Sequence, residues 1–435
     1  MRINSIDRQI MKIALPAIVS NITVPLLGLV DTAIVGHMDS AAYIGAIAVG
    51  GVIFNIVYWL FTFLRMGTSG ITAQDLGAGK TAEITNTLYR SCLLALAIGV
   101  LLIVLQWPIC HVGLKLMAPT PEVATHARTY LYICIWGAVA VQMLYALNGW
   151  FIGMQNTRIP MVVAIVQNVV NIPLSLLLVF GMGMGIAGVA LGTVLAQYIG
   201  LLTAVLMLRA RYREYLTPIV WRSVMQRTAL MRFLNVNRDI MLRMVCLIAV
   251  TTWFTAAGSR QGDLILAANA ILFQLFYLFS FFFDGFANAA EAMCGKYKGA
   301  RDVEHFALTV KRVFLCGGAL VLLFTAVYIV GEDYILGLLS NQPLVVDTAR
   351  EYFHWLLLVP VCGIMAFVWD GVFFGTTATG HLLLSMFTGT VLFFASYFIL
   401  FPLYANDGLW VSFLLYLAGR GIVQCFSFPK IIKAI

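Results

Sequence analysis

Charge is what this sequence has least of. Only 11% of its 435 residues are Asp, Glu, Lys or Arg, while 61% are hydrophobic. A soluble domain carries roughly a quarter charged residues, and a single soluble core stops growing near ~250–300 residues. Such a chain would aggregate in water, so its apolar surface takes lipid as its solvent. Cysteine is present but unpatterned. Cys92, Cys110, Cys134, Cys246, Cys294, Cys316, Cys362 and Cys425 include no CxxC pair and no metal-ligand spacing. Most fall in apolar runs, where a thiol is a small hydrophobe. The six histidines, His37, His111, His126, His305, His354 and His381, lie apart. Clustered acids for a metal, or a paired His and Asp, are missing, and with them the chemistry of a prenyl or acyl transferase. The formal charge of +8 comes from residues dispersed between apolar runs, not from the concentrated basic face that nucleic-acid binding needs.

Long apolar runs are what remains. A membrane helix needs about 20 apolar residues, and twelve runs qualify: approximately 10–36, 41–72, 86–112, 123–152, 159–181 and 185–208, then 233–257, 263–293, 306–330, 352–375, 382–402 and 408–428. The longest polar stretch, Arg209 to Arg232, separates the two sets. The expected organisation is a bundle over 1–208, a basic linker over 209–232 and a bundle over 233–435. Arg2, Arg8 and Lys12 before an apolar stretch resemble a signal peptide, but that stretch runs to about Gly36 with no A-x-A site, and it reads as the first span. The motif Gly183-Met184-Gly185-Ile186-Ala187-Gly188 fits GxGxxG, yet no strand precedes it and no ribose-binding acid follows. It reads as a tight turn.

Even numbering makes the topology testable. With both termini cytoplasmic, inside segments hold Arg2, Arg8, Lys12, Lys80, Arg158, Arg209, Arg211, Arg213, Arg222, Arg227, Lys296, Lys298, Arg301, Lys430 and Lys433, whereas outside segments hold only Lys115, Arg128, Arg260 and Arg350. The positive-inside rule therefore sets the orientation.

The halves repeat. Asn148-Gly149-Trp150-Phe151-Ile152-Gly153 aligns with Asp370-Gly371-Val372-Phe373-Phe374-Gly375, 222 positions on, and Gly36 falls on Gly258 at the same separation. Ala78-Gly79-Lys80 meets Gly299-Ala300-Arg301 one residue out of register. Six helices is an even step, so the halves share orientation about an axis along the membrane normal. Two six-helix bundles imply a cleft and hence a transporter.

A carboxylate at the bilayer centre costs about 2.5–3.5 kcal/mol on insertion scales and marks a functional candidate. Asp31, in the outer half of span one, leads. Burial in oil disfavours its charged form, so reversible protonation is expected. Asn148, Asn168, Asn171 and Thr193, on spans four to six, are neutral partners for either state, and Asn168 and Asn171 share a helix face. Asp284 and Asp370 are the second-half acids. Arg65, Arg238, Asp239, Arg243, Glu291 and Arg420 lie nearer span ends, where snorkelling or local pairing suffices. Pro16 and Pro25 permit a bend in span one. Met365 and the phenylalanines of span eight suit an apolar pocket.

With twelve spans, a twofold repeat and an acid in span one, the chain resembles the multidrug and toxic compound extrusion (MATE) family over its full length. Asn171-Ile172-Pro173-Leu174-Ser175 with Gly181, and the Gly-Ala-Arg-type ends of spans two and eight, carry the resemblance. Arg232-Phe233-Leu234-Asn235-Val236-Asn237-Arg238-Asp239, Ala267-Ala268-Asn269-Ala270, Phe283-Asp284-Gly285-Phe286-Ala287 and Ala290-Glu291-Ala292 look like its DinF branch. The resemblance implies an all-α protein of two pseudo-twofold-related six-helix bundles. It implies antiport of amphipathic cations against protons or sodium ions, with Asp31 matching the proton site of DinF-like members, Asn148, Asn171 and Thr193 as polar cavity and Pro16 as the bending proline. Some relatives place a second acid where this chain has Ser175. NorM-type members have sodium-linked acids in spans seven and ten, of which only Asp370 remains here.

The resulting expectation is a non-enzymatic, monomeric drug exporter of the bacterial cytoplasmic membrane. It has no cofactor beyond the coupling ion, H+ or alternatively Na+, and no nucleic-acid partner. A flippase for lipid-linked precursors would need a strongly cationic cavity, and few basic residues lie deep in the spans.

Overall fold

The computed structural model describes residues 5–36, 41–340 and 342–433, with the backbone alone for 24, 26, 27, 29, 30, 35, 36 and 41. Arg2 and His37 lie outside the described residues. Every regular element among those described is helical. In a bilayer this follows from the backbone, whose polar groups find no water and must pair within their own segment.

The spans are α1 Ser5–Gly36, α2 Ala42–Gly77, α3 Thr81–Val104, α4 Pro121–Gly153, α5 Arg158–Gly181, α6 Ile186–Arg211, α7 Arg227–Ser259, α8 Asp263–Gly299, α9 Val303–Leu339 and α10 Pro343–Gly375. One further helical stretch, Thr379–Ile432, is 54 residues long. At 1.5 Å per residue it would measure ~80 Å, well over twice a bilayer's hydrocarbon core. It is two spans, α11 (379–404) and α12 (406–432), divided at Ala405, whose φ of 47° and ψ of −120° are non-helical. A side chain on Gly408 would meet the Leu400 backbone, one on Gly389 Tyr416 and Arg420, and one on Gly419 Leu392. This pairing makes an antiparallel hairpin. The twelve spans expected from the apolar runs are all present.

Not every span is a plain α-helix. Inside α2 the bonds tighten to i→i−3, Phe61 N–H to Tyr58 O at 3.0 Å and Thr62 N–H to Trp59 O at 3.2 Å. Helix α4 carries a 3-10 turn at Ile135–Gly137, and α5 ends in a π turn, Leu177–Gly181. Helix α1 continues through both Pro16 and Pro25. The expected tight turn joins α5 to α6, with Gly183 and Gly185 at φ 67° and 58°.

The chain forms two compact units. One gathers the residues up to Ile18, Gly77–Gly79 and everything from Asn235 onward; the other holds Val19–Leu76 and Lys80–Leu234. Helix α1 is thus shared. Its first part packs with α8 in the C-terminal unit, where a side chain on Gly285 would overlap Ile18 and the Ala14 carbonyl. The basic linker belongs to the N-terminal unit and is strapped to α3. Thr85 Oγ1 donates to Tyr215 O at 2.7 Å, Tyr89 OH to Thr217 O at 2.6 Å, Asn86 Nδ2 to Ser223 Oγ at 2.7 Å and Arg90 Nε to Val224 O at 2.8 Å.

The repeat read from sequence recurs in local geometry. The C-termini of α4 and α10 are capped alike. Asn156 N–H reaches Phe151 O and Gln155 N–H reaches Ile152 O, while Ala378 N–H reaches Phe373 O and Thr377 N–H reaches Phe374 O. Gln155 and Thr377 both take positive φ, 63° and 50°. Each is a Schellman cap with a non-glycine residue in the left-handed position. Gly79 and Arg301, also 222 apart, repeat the match at φ 67° and 57°. A side chain on Gly149 would overlap Arg65 O, and one on Gly371 would overlap Ala287 O. The same close approach is built twice. Gly149→Ala and Gly371→Ala should each destabilise by about 1–3 kcal/mol through overpacking against backbone, and by similar amounts. Thermal unfolding of the two variants in detergent checks this, and a loss confined to one half would argue against equivalent packing.

Candidate functional site

Asp31 sits 3% exposed on α1 in the N-terminal unit. Its Oδ2 accepts from Thr193 Oγ1 of α6 at 2.9 Å, and Asn171 Nδ2 of α5 donates to the same Thr193 oxygen at 3.2 Å. The order of donation matters. Because the Asn171 amide nitrogen can only donate, the Thr193 proton is committed to the carboxyl, and Oδ2 is an acceptor in either protonation state. Oδ1 has no hydrogen-bond partner among the described residues, which leaves it free to carry or lose a proton. Among the described residues, no cation is paired with the group. Tyr130 and Cys134 of α4 lie within electrostatic range. Three helices thus hold one acid among neutral groups.

The other first-half candidates spread outward. Asn168 donates to Thr23 O of α1 at 3.2 Å and to Ala164 O at 3.0 Å, tying α5 to α1 between Pro16 and Pro25. Ser175, fully buried one turn beyond Asn171, is pressed against Gly192, where an added side chain would overlap its Oγ. Asn148 is half-buried, with its Oδ1 unpartnered among the described residues. The structure therefore brings Asn171 and Thr193 to Asp31, sets Asn168 against α1, and gives Asn148 no hydrogen bond to them.

The second half is built differently. Asp370 of α10 is buried and accepts from Arg243 of α7, from Arg420 Nη2 of α12 at 2.6 Å and from Gln424 Nε2 at 2.7 Å. Arg243 lies over the Phe374 ring and Arg420 over Tyr416, each 5.2 Å from the centroid. Of the two expectations, snorkelling or local ion pairing, neither arginine snorkels, being 6% and 3% exposed, and both are ion-paired, with an acid on another span. Sequence places them on different spans far from Asp370, and only packing joins them. Arg238 and Asp239 pair locally at 2.8 Å, as expected near a helix end. Asp284 is half-buried beside the Gly285 contact with α1, and Met365 is 45% exposed next to Cys425 of α12.

A fourth acid is absent from the sequence-based candidates. Asp75, 7% exposed near the end of α2, lines a cavity of about 370 Å³ with Lys80, Glu83, Thr87, Arg90 and Arg232. Its signal is the polar face Thr68, Ser69, Thr72, Asp75 at helical spacing, of which the apolar run over 41–72 holds the first three and ends just before the acid.

Comparison with known proteins places this arrangement. The sequence matches the family MatE twice, over residues 16–177 and 239–399. It is 36% identical over 425 residues to DNA damage-inducible protein F of Escherichia coli (strain K12), covering 97% of this chain and 91% of that one. It is 25% identical to a probable multidrug resistance protein NorM of Thermotoga maritima, covering 79% and 75%. Among solved structures, a MATE protein in a bent conformation superposes with a TM-score of 0.89 at 18% identity over 99% and 96% of the chains. An outward-facing multidrug resistance MATE family transporter superposes at 0.85, also at 18% identity, over 98% and 96%. Two matched halves, each of six spanning helices, and a relative that is similar from end to end make this chain a multi-pass membrane transporter of the MatE family.

Proposed function

We propose that this chain exports amphipathic organic cations in exchange for protons by alternating access, with both termini in the cytoplasm of a bacterial inner membrane. The observation that carries the reading is Asp31, a buried acid with a committed donor on one oxygen and, among the described residues, no partner on the second. Its neutral partners allow it to change charge without leaving another charge stranded. A buried ion pair would resist that change, since removing one member strands the other. Relatives bearing multidrug resistance in their names support the substrate class. Asp370, the acid a sodium ion would need in the second half, is already surrounded by two guanidiniums and an amide, which supports protons over sodium. The same pairing leaves Arg243 and Arg420 occupied, which weighs against a cavity for pyrophosphate.

Reconstituted vesicles test the coupling. A proton gradient imposed alone should drive efflux of the fluorescent cation ethidium, and a sodium gradient alone should leave it at the rate of protein-free vesicles. Sodium dependence without proton dependence would overturn the assignment.

A further inference from the structure

Beyond Asp31, the N-terminal unit contains a second polar construction. Helices α2 and α4 run side by side in the same direction. Gly149 abuts the Arg65 backbone and Gly153 the Ser69 backbone, both 84 positions apart. That separation sets Gln142 at the level of Tyr58. Tyr58 OH, both polar atoms of the Gln142 amide, Thr68 Oγ1, Ser69 Oγ and Thr72 Oγ1 are all buried without a hydrogen-bond partner among the described residues. Orphaned buried polar atoms are rare in folded proteins. Here six of them fall on two adjacent helices, at depths that follow one another along the bundle.

Both ends of this seam meet an acid. Tyr130 and Cys134, one helical turn apart on α4, lie within electrostatic range of Asp31, and Cys134 within that of Tyr58. Tyr145 and Tyr198 also surround Tyr58. A side chain on Gly50 would meet the Tyr130 ring, so α2 and α4 are closely packed there too. At the far end Thr72 stands one helical turn before Asp75 on the same face. Asp75 Oδ2 accepts from Thr87 Oγ1 of α3 at 3.4 Å. Arg232 from α7, Lys80 from the turn and Glu83 from α3 face the same carboxyl. The cavity reaches solvent through the exposed Lys80 and Arg232.

We propose that the α2–α4 seam is a water-bearing proton path joining Asp31 to Asp75, with Asp75 exchanging the proton with solvent in the cavity. Buried water satisfies polar groups of this kind. The Asp31 O–H bond breaks and a water O–H bond forms. Each intervening hydroxyl or water then gives one proton and takes one, so all return to their starting state. The Asp75 carboxylate takes the proton, and its own O–H bond breaks to water in the cavity. Nothing is oxidised or reduced. The Gln142 amide orients the chain, acting as a positioning residue.

This inference rests on the proton-coupled reading of Asp31, and the test separates the two. Full-length protein in weakly buffered detergent solution is mixed rapidly with ethidium, and a pH dye records proton release. Wild-type protein should release protons promptly, and Asp31→Asn none. Tyr58→Phe, Gln142→Leu and Asp75→Asn should release the same amount about a hundredfold more slowly, at the lower end of the scale of losing one positioned proton-transfer group. Their ethidium affinity should be unchanged, and Asp75→Glu, which keeps a carboxyl, should regain the rate. Wild-type rates in all three seam variants would overturn the path and leave the role of Asp31 standing. So would amplitude and affinity falling together, which marks a structural role. No release from the wild type would overturn both.

Discussion

Asp31→Asn should reduce proton-driven ethidium export to the rate of protein-free vesicles while leaving a folded protein. The substitution keeps the size of the side chain and an oxygen that accepts from Thr193 Oγ1, so the Asn171–Thr193 chain of hydrogen bonds survives. What it removes is the proton exchange at a group that no cation among the described residues neutralises. Export by antiport requires the protein to differ in affinity for its two ligands between states, and a side chain that cannot titrate contributes no such difference for the proton. Ethidium should still bind, and its affinity should lose its pH dependence. Measuring binding and vesicle efflux over a range of pH checks both points. A variant that exports at the wild-type rate would remove Asp31 from the mechanism.

Asp370→Ala should have the largest effect on stability, about 3–5 kcal/mol by the scale of a broken buried ion pair. Two guanidiniums would remain in a place with almost no water, having lost the carboxyl that accepts from both. Gln424 Nε2 would lose its acceptor as well. Asp370→Asn should cost less, because the amide oxygen still accepts. Replacing the whole cluster, Asp370→Leu with Arg243→Met and Arg420→Met, should recover much of the loss, since well-packed apolar groups of similar volume often match a buried ion cluster. Thermal unfolding in detergent gives the order. The number of protons exchanged per ethidium should be the same in every variant that folds. A change in that ratio for Asp370→Asn would bring this acid into the coupling and contradict its reading as a structural counter-ion.

The contrast between the two acids shows what kind of information each level holds. Both are carboxylates in apolar spans at comparable burial. Composition treats them alike, and the 222-residue repeat even pairs Asp370 with Asn148 as twin polar centres. Their neighbours divide them. Thr193 and Asn171 reach Asp31 from two helices of the same half, close enough in the chain to be suspected. Arg243 and Arg420 reach Asp370 from spans seven and twelve, and their proximity to chain segments near helix ends made solvent contact the natural expectation. Asp75 was hidden for a related reason. The polar residues around it lie at 3–4-residue spacing on α2, a pattern that acquires meaning only once α4 covers the same face with its own unpartnered amide.

Sequence alone determined the membrane setting, the twelve spans, the internal repeat and the choice of Asp31 as the leading candidate. Each of these follows from one-dimensional quantities: the length of apolar runs against bilayer thickness, a constant separation between like segments, and the cost of a lone carboxylate in oil. The tertiary structure decided which polar groups share a pocket, which cations are taken, where α1 changes partners, and that the basic linker is strapped to α3. Those outcomes depend on which faces of twelve similar helices meet. Apolar composition barely distinguishes those faces, because lipid and a neighbouring helix are nearly equivalent surroundings for the same side chains.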